Sequence, residues 1–89
     1  MLEKNVRIKN KLGLHARAAV KFMNVANRFV ASVRIEKDGN EIDGKSILGI
    51  LTLAATQGSE ISLIIAGADE GAAFKALAEL IHSRFGEKE

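Results

Sequence analysis

The chain has 89 residues, enough for one domain, 1–89, with a limited core. Apolar residues make up 47% and the four aromatics are all Phe, which excludes a disordered chain and predicts an aliphatic core. Cysteine is absent, which excludes disulfides and thiolate metal sites, and a net charge of +2 with mixed signs leaves no nucleic-acid footprint. In chain order, Leu2, Val6 and Ile8 share one alternating face and predict a first strand, with Lys4, Arg7, Lys9 and Lys11 making its neighbourhood basic. Gly13 breaks that pattern. From Ala16 the apolar spacing turns helical through Ala19, Phe22, Met23 and Ala26.

Val33 and Ile35 alternate with Arg34 and Glu36 in a second strand. Asp38-Gly39 then marks a tight hairpin turn into a short third strand at Ile42. Ser46 is a natural N-cap for the run ILGILTLAATQ, with Gly58 as its stop. Ile61, Leu63 and Ile65 predict a fourth strand. Asp69 is placed to cap a last helix with the stripe Phe74, Leu77, Ala78, Ile81 and Phe85, closed by Gly86. The order β-α-β-β-α-β-α predicts an α+β fold, with the helices on one face of a mainly antiparallel sheet. The other face is left to water, which accounts for Arg7, Arg34 and Glu36.

The chemistry concentrates in GLHARAA, Gly13 to Ala19. A helix start offers unpaired N–H groups and partial positive charge, a setting that binds phosphate readily. That field, together with Arg17, favours the neutral and nucleophilic form of His15. A phosphoryl group on the ring would lie among free amides, with the Arg17 guanidinium available for charge-assisted bonds. The residues alone are equally compatible with His15 as a simple capping residue. His82, late in the last helix, has no comparable anion setting and reads as a surface or dipole-compensating residue.

A second feature is the helix after Ser46, which is apolar all round. A domain this small cannot enclose it, so Ile47, Leu48 and Leu51 are expected to face solvent as a docking patch. Ser46 has an adequate role as a cap. A phosphate there would be comfortable beside the helix start and would change partner choice. No apolar run can span a bilayer and MLEKNVRIK lacks a secretory hydrophobic segment, so a cytoplasmic location without membrane insertion is expected.

Gly13-Leu14-His15-Ala16-Arg17 and Lys45-Ser46-Ile47-Leu48-Gly49, in this order of elements, resemble the HPr family, histidine-containing phosphocarriers of the bacterial phosphoenolpyruvate-dependent sugar phosphotransferase system. The resemblance runs from Val6 to about Phe85. It implies an open-faced β-sandwich, a four-stranded antiparallel sheet with three helices on one face. It also implies a carrier and not an enzyme: His15 takes a phosphoryl group on Nδ1 from enzyme I and passes it to enzyme IIA domains, assisted by Arg17. Ser46 matches the serine targeted by HPr kinase/phosphorylase, a route to regulatory proteins. Ile47, Leu48 and Leu51 match the shared docking surface. A nitrogen-branch carrier or a mainly regulatory HPr-like protein controlled through Ser46 are the alternatives. A monomer is the simplest expectation, and no cofactor, metal or nucleic acid is implied. Two positions depart from the familiar pattern: Ala18 stands for proline, restoring an N–H, and Ala54 stands where many relatives have glycine.

Overall fold

The computed structural model describes residues 1–89. Its elements are β1 (Leu2–Arg7), α1 (Ala16–Ala26), β2 (Ser32–Lys37), β3 (Asn40–Asp43), α2 (Ile47–Thr52), β4 (Glu60–Ala66) and α3 (Glu70–His82), followed by a single 3-10 turn at Arg84–Gly86. The four strands form one antiparallel sheet in the order β1-β4-β2-β3. This is the expected element order and the open-faced sandwich.

Alternation decides which face is covered. Val33 and Ile35 of β2 and Ile61, Leu63 and Ile65 of β4 are buried beneath the helices. Arg34 and Glu41 lie on the opposite face and pair there at 2.5 Å. Ile8 falls just past β1, yet it exchanges backbone bonds with Ser59 and Gly58 at 2.8 Å and is fully buried. Lys4 takes the intervening position on the inner face, where its ammonium lies 5.4 Å from the Phe74 ring centroid. That contact reconciles a cation with an otherwise apolar strand face. At the hairpin, Asp38 and Gly39 have φ of 53° and 85°, the two left-handed residues that a tight hairpin turn requires.

The core is aliphatic around two large rings, Phe22 from α1 and Phe85 from the 3-10 turn, both almost completely buried. Each such side chain contributes about 1.5–3 kcal/mol through burial. Met23 and Phe74 pack against this core from its margin.

Three helix limits differ from the sequence expectation. α2 stops at Thr52 instead of running to Gly58, because Ala54 turns left-handed at φ 50°. α3 stops at His82 rather than at Gly86, because Arg84 and Phe85 turn left-handed at φ 59° and 55°. Phe85 is buried as its place in the apolar stripe implied, but from a turn and not from the helix. Asp69 makes no capping bond to α3. Its carboxylate instead accepts from the Val30 and Ala31 N–H groups at 2.9 and 2.8 Å, tying the entry of β2 to the start of α3.

Candidate phosphoryl site

His15 is the N-cap residue of α1, with extended backbone (φ −74°, ψ 177°) and no capping bond from its ring. The first N–H to bond back belongs to Ala19, which reaches the His15 carbonyl at 2.8 Å. The N–H groups of Ala16, Arg17 and Ala18 consequently have no partner within the chain. A proline at position 18 would lack the third of these. Gly13 sets the approach to the helix, at φ 68° and so close to the Ala55 carbonyl that any Cβ would collide with it. The next residue, Leu14, donates its N–H to that same carbonyl at 2.9 Å and is buried.

The C-terminal tail completes the site. The left-handed turn at Arg84-Phe85 buries the Phe85 ring, and Lys21 of α1 donates to the Phe85 carbonyl at 2.6 Å. Beyond that turn, Glu87 Oε2 lies 2.5 Å from His15 Nε2, with only 17% of the glutamate side chain exposed. Its other oxygen, Oε1, accepts from Asn10 Nδ2 at 3.0 Å, while the same Nδ2 donates to the Gly13 carbonyl at 2.8 Å. Asn10 is fully buried. The hydrogen bond from His15 holds the Glu87 carboxyl below the usual carboxylate range, helped by Asn10 and opposed by burial. Glu89 continues the tail along the loop, accepting the Lys11 N–H at its backbone and pairing with the Lys11 ammonium at 3.2 Å.

Around the exposed edge of His15 lies an open cavity of about 660 Å³, lined among others by Lys11, Arg17, Glu87 and Lys88. Arg17 is exposed and engaged by no carboxylate, so its guanidinium is free to swing toward an anion at the helix start. His15 and Arg17 are thus brought together as expected, and Glu87 and Asn10 are additions that sequence reasoning missed. His15 and Glu87 lie 72 positions apart, and a charged tail carries no periodic signal. His82 is exposed in the last turn of α3, as a surface residue there is expected to be. Its Nδ1 lies 2.9 Å from the Lys9 ammonium.

Ser46 lies at the start of α2, where its Oγ accepts from the Gly49 N–H at 3.2 Å, so the capping role holds. Leu48 and Leu51 of α2 are 74% and 37% exposed, whereas Ile47 is half-buried and packs against the core. The patch is therefore narrower than three full side chains. α1 packs against α2, and Val20 of α1 adds a further exposed apolar side chain. Ile50 and Leu53 turn inward and are buried. No helix is long and apolar enough to cross a membrane.

Residues 2–83 match the family model described as "PTS HPr component phosphorylation site". A phosphocarrier protein HPr from Neisseria meningitidis serogroup A is 47% identical over 89 residues, covering 100% of both chains. A solved HPr structure from Thermoanaerobacter tengcongensis superposes with a TM-score of 0.96 at 45% identity, covering 100% of both chains. A solved HPr dimer from the same organism gives 0.79 at 46% identity, covering 98% of this chain and 100% of that one.

Proposed function

The chain belongs to the HPr family, phosphocarriers of the phosphotransferase system and not enzymes, and within that role we propose that His15 is the residue that carries the phosphoryl group. One observation supports this above the rest: His15 caps a helix whose first three N–H groups are unpaired, and its Nδ1 has no partner in the chain. A nitrogen lone pair is thereby set beside donors suited to phosphate oxygens. Arg17 assists by closing on the group once it is attached. Enzyme I is the proposed donor and enzyme IIA domains in sugar uptake are the proposed acceptors, meeting the carrier through Leu48 and Leu51 with Ile47 at the margin. The protein works in the cytoplasm as a monomer.

Ser46 is the proposed regulatory position. Phosphorylation there by an HPr kinase/phosphorylase replaces a neutral cap by a dianion beside Leu48, altering the docking patch without touching His15. Incubation with phosphoenolpyruvate and enzyme I is expected to place acid-labile phosphate on His15, and His15→Ala to abolish it. Phosphate that survives the His15→Ala change would reject the assignment.

A further inference from the structure

We infer that Glu87 is a positioning residue for His15, its carboxylate holding the imidazole with the proton on Nε2 so that the attacking lone pair lies on Nδ1. The inference rests on the phosphocarrier reading above and gives it an orienting group.

An ionised carboxylate only accepts hydrogen bonds, so the 2.5 Å contact between Glu87 Oε2 and His15 Nε2 requires a proton on that nitrogen. In the neutral ring the lone pair is then on Nδ1. An exposed ion pair at a chain end would carry little weight, but this one is built in. Asn10, fully buried, bonds the second carboxylate oxygen and the Gly13 carbonyl of the loop that leads into α1. Phe85 anchors the tail in the core two residues before Glu87, and Lys21 fastens the Phe85 carbonyl. The remaining charges around the pair are Lys21, on α1, together with Arg17, Lys11, Lys88 and Glu89 at the cavity. The arrangement is carboxylate, imidazole and reacting atom in a row, with the carboxylate oriented in turn by an amide.

The transfer balances without moving a proton. The Nδ1 lone pair forms a bond to phosphorus while the bond from phosphorus to the phosphorylated donor protein breaks, and that electron pair leaves with the donor. Nε2 keeps its proton, the ring becomes a cation, and Glu87 is its counter-ion. On discharge the N–P electron pair returns to Nδ1, and the starting ring form is restored.

The test uses the full chain with ¹⁵N-labelled histidine, at about pH 8.5 where an ordinary imidazole is neutral. The native protein is expected to show Nε2–H with an unprotonated Nδ1. Glu87→Ala is expected to show a measurable Nδ1–H population and about tenfold slower phosphoryl uptake from enzyme I, with a changed pH profile. Glu87→Gln, whose amide oxygen still accepts, is expected to restore the ring form and part of the rate. An unchanged ring form in Glu87→Ala overturns the inference whatever the rate does. Failure of the native protein to take phosphate would overturn the carrier reading instead, while the ring form still judges Glu87.

Discussion

Gly13 shows how a single residue fixes where His15 stands. Its left-handed φ and the adjacent Ala55 carbonyl leave no space for a side chain, so the loop and the segment after α2 touch through backbone alone. Gly13→Ala is expected to cost about 2–4 kcal/mol, from the left-handed penalty together with the steric displacement. Urea unfolding measures the loss, and a value near zero would mean that the loop relaxes freely. Displaced amide resonances of Ala16 and Arg17 would show the same strain reaching the helix start. The placement of His15 and Arg17 at the start of α1 was legible because a cap position and a helix start are local features. Glu87 was not, since its contact depends on a turn in which Arg84 and Phe85 adopt a conformation that side chains disfavour.

Among the elements, α2 separates what periodicity can and cannot tell. Its surplus of apolar residues correctly marked an exposed side, now assigned chiefly to Leu48 and Leu51. Leu48→Asp is expected to slow phosphoryl uptake from enzyme I about tenfold, as for a contact central to docking, with an unchanged melting temperature. A matching loss of thermal stability would instead make Leu48 a packing residue. The end of α2 was misread because Leu53, Ala54 and Ala55 continue an apolar, helix-compatible run, and the sign of φ leaves no trace in such a pattern. Ala54 occupies the position after the helix cap that glycine usually fills. Ala54→Gly is therefore expected to stabilise the fold by about 0.5–1 kcal/mol, a rise of a few degrees in calorimetry. The strands were the most legible elements, since burial of one sheet face leaves an alternation that sequence displays directly. Asp69 was assigned to the wrong amides: the local rule pointed to its own helix, while two N–H groups at the entry to β2 offered a pair of donors to its carboxylate.

At the scale of the whole molecule, three carboxylates link stability to pH. Asp69 is held low by the Val30 and Ala31 amides, Glu70 by the terminal ammonium and the Gly67 amide, and Glu87 by His15 and Asn10. Each is a stronger acid folded than unfolded, so in acid the unfolded chain binds more protons. Their contribution is complete above the ordinary values of 3.8 for Asp and 4.5 for Glu, and is lost as pH falls through the lower folded values. Melting temperature is expected to be level above about pH 5 and to fall steadily below about pH 4, with Asp69→Asn giving a shallower fall. An identical slope in that variant would remove Asp69 from the account.

The strand order has an outcome for a chain still being made. Leu2 pairs with Ile65 and Ser32 with Ala66, so both neighbours of β4 wait for the last strand translated. Until Glu60–Ala66 leaves the ribosome, the nascent polypeptide can close only the β2–β3 hairpin, while the greasy side of α1 stays bare. A chain truncated before Glu60 is therefore expected to aggregate, since β1 has no sheet partner, and β2 none but β3, until β4 is made.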